Sequence, residues 1–335
     1  MNDISAELAS TPALYAQKYD AGRDAVYFIR LDEAAYRAAS FLDDRVLAPG
    51  MQGSWTPFAT VEQAMAGAGR SVPLHFIFHT GHVGSTLLSR LIDEAGSVLG
   101  LREPLPLRTL AEEFDRPGPH LDARLETFLK LWRRGFPATR AVVLKATSSS
   151  GRLAPRLLAA SGESKAIYLN LKAEPYLATL LAGANALVDL KGFEQERAAR
   201  LRALLDAATW NATSIGELAA MSWLTESLTQ ARALEAFGSR ILALDFEQLL
   251  SNLAPTLSRV LAHFSLAAPP GFDTAISRSP VLTRYSKAPQ QFAYSPTMRA
   301  QLLAQARAEH GGEIRKGLKF LEQLGAQHRS VAALL

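Results

Sequence analysis

Six consecutive residues, Gly81, His82, Val83, Gly84, Ser85 and Thr86, have the types and spacing to hold an anion. They follow the apolar run Leu74–Thr80 and precede an amphipathic stretch, Ser85–Ala95, in which Leu87, Leu88, Leu91 and Ile92 share one helical face. Two glycines let the backbone take positive φ and approach a ligand closely. The first N–H groups of a helix have no partner within it, and its dipole favours negative charge at that end. The hydroxyls of Ser85 and Thr86 add donors. The spacing is shorter than a Walker A loop and no lysine precedes Ser85, which argues against an ordinary kinase or ATPase site.

Other reactive side chains stand where strands are expected to end. Glu103 follows a short candidate strand, Ser97–Leu101, on the edge where open α/β sheets bind ligands. It is either a functional carboxylate or a surface partner of Arg102. His79 and His82 flank the turn and compete with Glu103 as a base. Lys145 ends the run beginning at Ala141, as a site cation or as a snorkelling strand-end lysine. Thr147–Ser150 is expected to open a helix, with Arg152 and Arg156 near its start either contacting an acidic acceptor or, the more ordinary reading, solvated on the helix surface. The segment Arg278–Lys287 gathers Arg278, Arg284, Tyr285, Ser286 and Lys287, and is either a loop closing over a phosphate or a solvated basic loop. Trp223, with Leu224 and Leu228, belongs to a core stripe. The seven histidines lack zinc-type spacing.

Strands and helices must alternate to position these groups. Leu74–Thr80, Ala141–Thr147, Lys165–Leu171 and Arg240–Phe246 are apolar runs of strand length, suited to burial on both faces of a parallel sheet. Helical periodicity fills the gaps in Ser85–Ala95, Ala154–Ala160, Glu174–Ala182 and Glu217–Phe237. The alternation predicts right-handed βαβ crossovers. Before residue 73, Ala25–Leu31 is a candidate strand, Asp32–Leu42 a candidate helix and Pro49–Pro57 a Gly/Pro loop. Gln301–Leu335 is expected to be a charged helical tail.

With 335 residues and an apolar share of 48%, the chain can bury a sizeable core. A net charge of +4 is too small at this length to argue for nucleic acid, but a few cations in one cleft would serve an anionic ligand. The absence of cysteine excludes disulfides, thiol catalysis and cysteine-bound zinc. Met1–Ser10 has no apolar run of a secretory signal, and Tyr168–Leu190 is interrupted by Lys172, Glu174 and Asp189. The expectation is a cytoplasmic protein without a membrane span.

The segment FIFHTGHVGSTLLSRLID, Phe76 to Asp93, resembles the 5′-phosphosulfate loop of sulfotransferases that use 3′-phosphoadenosine 5′-phosphosulfate (PAPS). A weaker resemblance runs through Leu101–Pro104, Lys145–Thr147, Lys165–Thr179 and Trp223–Leu250. It spans Leu74 to Ser265, with a contribution near Arg284. The resemblance implies that Gly81, His82, Val83, Gly84, Ser85 and Thr86 bind the donor, with His82 where the family has Lys or Arg. It implies Glu103 as catalytic base, while Lys145, from its strand-end position, is expected to replace the missing loop lysine and stabilise the sulfonate charge. It implies a 3′-phosphate site at Lys172, Thr179 and Arg284. Two departures mark that site: Ala173 stands at the usual arginine and Leu181 at the usual serine.

The fold expected is a P-loop-like three-layer α/β/α domain over residues 73–335, with a central parallel sheet of about five strands and a helical C-terminus. Residues 1–72 form an N-terminal extension packed on it. The activity expected is transfer of a sulfonate from PAPS, as co-substrate and without a metal, to a hydroxyl or amine of a small-molecule or glycan acceptor shaped by Leu105–Phe136 and the extension. A kinase-like phosphotransferase using ATP and a non-catalytic nucleotide-binding protein are the alternatives.

Overall fold

The computed structural model describes residues 4–69, 71–114, 120–183, 185–206 and 211–335. Part of the Leu105–Phe136 stretch, residues 115–119, and the first three of Met1–Ser10 therefore lie outside the described residues. Five short strands form the central sheet: β4 (Leu74–His79), β5 (Val98–Arg102), β6 (Ala141–Lys145), β7 (Ala166–Asn170) and β8 (Ile241–Asp245). Here β1 (Leu14–Asp20), β2 (Ala25–Arg30) and β3 (Gly53–Pro57) form a separate antiparallel sheet nearer the N-terminus. The central order is β5-β6-β4-β7-β8 and every pairing in it is parallel.

Helices cover both faces of this sheet, because its strands are apolar on both. Along β4, Phe76 and Phe78 enter one core while Ile77 enters the other. The Ile77 core is closed by the helices Ser85–Asp93, Ala173–Leu181, Ile215–Phe237 and Pro296–Gln327. The Phe76/Phe78 core takes in Leu105–Phe114, Leu121–Trp132, Ala154–Ala159 and the N-terminal sheet. The long helix from Ile215 starts in a capping box, with the Ser214 hydroxyl on the Glu217 amide and the Glu217 carboxylate on the Ser214 amide.

The strands after β4 spread to either side of it, so the chain reverses direction around β4. A crevice then opens at the carboxyl ends of the strands. The pairings Ile77↔Lys145 and Arg102↔Lys145 bring three of these ends level.

Several boundaries differ from expectation. Pro49–Pro57 is not wholly a loop: Gly53–Pro57 pairs with β2, and Trp55 lies against Tyr27 with ring centroids 5.2 Å apart. β1 was not foreseen, since its alternation contains the buried Gln17. The tail helix begins earlier, at Pro296, where the Ser295 side chain caps it, and it bends at His310. Thr147–Ser150 leads into a 3₁₀ turn, Ser148–Leu153, before the α-helix Ala154–Ala159. No helix among the described residues is long and apolar enough to cross a membrane.

Candidate active site

The turn after β4 is shaped from below by His79. The ring is buried, its Nδ1 accepts from the Gly81 amide at 3.0 Å, and its Nε2 lies 2.9 Å from the Ala146 carbonyl. Those partners assign a neutral ring with the proton on Nε2. Burial, with Lys145 second, holds its pKa well below the usual imidazole value. Both nitrogens are occupied, so His79 is a strut of the turn with no nitrogen to spare for an acceptor. Tyr176 steadies the other side, donating from its hydroxyl to the Thr80 carbonyl at 3.2 Å.

Three residues of the turn have positive φ: Gly81 (93°), His82 (54°) and Gly84 (70°). Gly84 is required twice, because a Cβ there would also lie 2.0 Å from the Phe246 ring. The helix at Ser85 has no side-chain cap, and its first amide to find a carbonyl is Leu88, on Gly84 at 3.0 Å. Among the described residues, the amides of His82 through Leu87 have no hydrogen-bond partner. Thr86 Oγ1 is likewise buried without one. Such a row of donors at a helix N-terminus suits an anion.

A cavity of about 240 Å³ adjoins this turn, with His82, Glu103, Ser148, Tyr176, Glu226 and Lys287 in its walls. Glu103, at φ +56°, turns back over the end of β5, and its amide donates to the Lys145 carbonyl at 2.7 Å. Its carboxylate forms an ion pair with Lys145, whose side chain is only 1% exposed. Burial lowers the Lys145 pKa, and Glu103 works against that shift. The other Glu103 oxygen lies 4.0 Å from Arg45, which stacks on Phe41. Arg102 is not the partner of Glu103. It is buried, pairs with Asp93, and donates to the Tyr36 and Ala39 carbonyls.

His82 is exposed at the cavity, yet protein around the ring, and then Lys287, pull its pKa below the usual imidazole value. The remaining charges are mostly paired: Arg197 with Asp189 at 2.8 Å, Arg152 with Glu196 at 2.5 Å and Arg200 with Glu226 at 2.7 Å. Ser222, Glu226 and Arg197 line the cavity but carry no signal in the sequence, since they come from two helices far from the turn.

The three residues expected at a 3′-phosphate are not among the lining residues of this cavity. Lys172 is exposed before the helix Ala173–Leu181, and the Thr179 hydroxyl donates to the Pro175 carbonyl of its own helix. Arg284 is exposed and donates to the Pro289 carbonyl. From the same basic segment it is Lys287 that reaches the cavity. Arg156 pairs with Asp122 at the surface, and Trp223 is buried with its indole donating to the Leu171 carbonyl. Among the described residues there is no cluster of three or more side chains fit to hold a metal ion.

No protein-family model matches the chain, and no curated protein matches it. Among solved structures it is similar in fold to sulfotransferases. The sulfotransferase domain from the curacin biosynthetic pathway is 15% identical, with 77% of this chain and 99% of that one covered, at a TM-score of 0.41. Sulfotransferase STF9 from Mycobacterium avium is 11% identical, with 74% and 79% covered, at 0.42. Mouse sulfotransferase SULT7A1, complexed with PAP, is 11% identical, with 76% and 89% covered, at 0.34. At TM-scores below 0.5 these likenesses carry no argument about donor, acceptor or turnover.

Proposed function

We propose that the chain is a sulfotransferase that moves a sulfonate from PAPS to a hydroxyl or amine. The observation that carries this reading is the row of unpartnered amides from His82 to Leu87, beside a cavity lined by Glu103, whose carboxylate pairs with Lys145. An anion on those amides would sit at the carboxyl edge of β4, within the same crevice as the carboxylate.

PAPS, when bound, supplies the sulfonate and a nucleotide leaving group. In the proposed reaction the turn backbone and the Ser85 and Thr86 hydroxyls hold the phosphosulfate. Glu103 takes the proton from the acceptor. The acceptor lone pair forms the new bond to sulfur while the bond from sulfur to the bridging oxygen breaks. That electron pair leaves with adenosine 3′,5′-bisphosphate. Lys145 holds the Glu103 carboxylate in place through their ion pair, and His82 borders the reacting groups. The phosphosulfate end fits the residues present. The 3′-phosphate end fits less well, because Thr179 is spent within its helix and Arg284 is turned to Pro289. Among the described residues, Lys172 is the one of that group whose side chain has no hydrogen-bonded partner.

Calorimetry tests the reading directly. Adenosine 3′,5′-bisphosphate is expected to bind at least about tenfold more tightly than ATP with magnesium, the scale of one charge-assisted contact. Preference for magnesium-ATP would instead support the phosphotransferase alternative. Failure to bind either nucleotide would sink the reading.

A further inference from the structure

The turn carries no lysine, yet a second ammonium enters the cavity from the other end of the chain. Lys287 lines the same walls as His82 and Glu103. It is partly buried, and among the described residues it makes no hydrogen bond or ion pair. Burial lowers its pKa, and the next contribution in size is repulsion from Lys145. Glu103, whose charge acts on both ammonium groups, is already engaged with Lys145. Asp189, a second acid of these walls, is engaged with Arg197. Glu196 and Glu226, further acids of these walls, are engaged with Arg152 and Arg200, so among the described residues Lys287 is an ammonium of the lining that no carboxylate pairs.

The position of Lys287 is built into the fold. Its segment is folded back on itself, with the Tyr285 amide on the Phe292 carbonyl and the Tyr294 amide on the Thr283 carbonyl, each at 2.9 Å. The carbonyl of the preceding residue, Ser286, accepts from Arg90 Nε at 3.1 Å and from the Ser40 hydroxyl at 3.2 Å. Arg90 also donates to Ser40 Oγ and to the Ala38 carbonyl. Arg90 stands on the helix whose N-terminus ends the turn. One helix thus presents the amides at its start and, through Arg90, fixes the backbone that delivers Lys287.

We propose that Lys287 is the cation that holds the transferring sulfonate against the Gly81–Thr86 turn, supplying from the C-terminal segment the charge that the turn lacks. This rests on the sulfotransferase reading and deepens it. The ammonium donates to a sulfonate oxygen, the contact becomes stronger as the sulfur–oxygen bond breaks, and no atom of the lysine is exchanged. The adenosine and its 3′-phosphate are held elsewhere.

The test compares PAPS with adenosine 3′,5′-bisphosphate, which lacks the sulfonate, by calorimetry on the full chain. Lys287→Met is expected to lose about tenfold or more in PAPS affinity while its affinity for the bisphosphate stays within about threefold, and Lys287→Arg should regain much of the loss. Thermal melts of both variants establish that they are folded. Equal losses for the two nucleotides, or no loss for either, would overturn the proposal. If the wild-type chain binds neither nucleotide, the sulfotransferase reading fails separately. The lysine–anion contact is then decided with inorganic sulfate and pyrophosphate: protection of Lys287 from acetylation by acetic anhydride supports it, and unchanged labelling overturns it.

Discussion

At the scale of single residues, the Glu103–Lys145 pair has two duties that a simple substitution would confuse. In the proposed reaction the Glu103 carboxylate takes the acceptor's proton. The same carboxylate is also the counter-charge of an ammonium that has almost no contact with water. Glu103→Gln leaves that ammonium buried and unpaired, a change that typically costs about 3–5 kcal/mol. Turnover lost in this variant alone would therefore not identify a base. The double variant Glu103→Gln/Lys145→Met removes both charges and is expected to regain most of the stability in chemical denaturation, while sulfonate transfer stays absent. If the double variant is as unstable as the single one, the pair does not set local stability. If it turns over normally, Glu103 is not the base.

At the scale of elements, two helices behind the site approach closely because glycines stand at the crossing. A Cβ on Gly216 would lie 1.9 Å from the Glu313 carbonyl oxygen, and one on Gly317 would lie 2.4 Å from the Gly216 carbonyl oxygen. The Gly216 amide donates to the Glu313 carboxylate at 2.9 Å. Gly216→Ala should force the helices apart and cost about 1–3 kcal/mol, read as a lower denaturation midpoint. Gly312→Ala, on the same tail helix but facing open space, should be neutral or slightly stabilising. Equal destabilisation by both would mean that the crossing is not the cause. Neither glycine is conspicuous in the sequence, whereas β4 to β8 were legible to within about two residues because their apolar runs are unbroken, those of β4 to β7 being buried almost throughout. The turn was legible for a similar reason, since its glycines, hydroxyls and flanking patterns are contiguous. β3 was hidden in a Gly/Pro stretch, because pairing with β2 is a tertiary fact that outweighs local composition. Lys287 was visible only as part of a basic segment. Its place in the cavity depends on contacts from Arg90 and Ser40, about 200 and 250 residues away along the chain.

At the scale of the whole molecule, the N-terminal sheet and the central sheet share one core. Leu14, Phe28 and Met65 lie in the same cluster as Phe76, Phe78 and Leu144. Polar contacts cross the joint as well. Buried Arg134 donates to the carbonyls of Leu8, Thr11 and Leu14 at 2.7–3.0 Å, and Arg102 holds Tyr36 and Ala39. The Leu42 amide meets the Arg102 carbonyl at 2.7 Å, one residue before Glu103. Opening the N-terminal sheet would uncover an apolar face of the central sheet and strand two buried guanidinium groups, so the two sheets are expected to unfold as one cooperative unit. Native-state hydrogen exchange measures this. The amides of Phe28 in β2 and Phe78 in β4 should show opening free energies within about 1 kcal/mol of each other, converging further as denaturant is added. If Phe28 instead exchanges through a much lower-energy opening, the N-terminal sheet is a separable layer. The end of β5 that carries Glu103 would then be held chiefly by its pairing with β6.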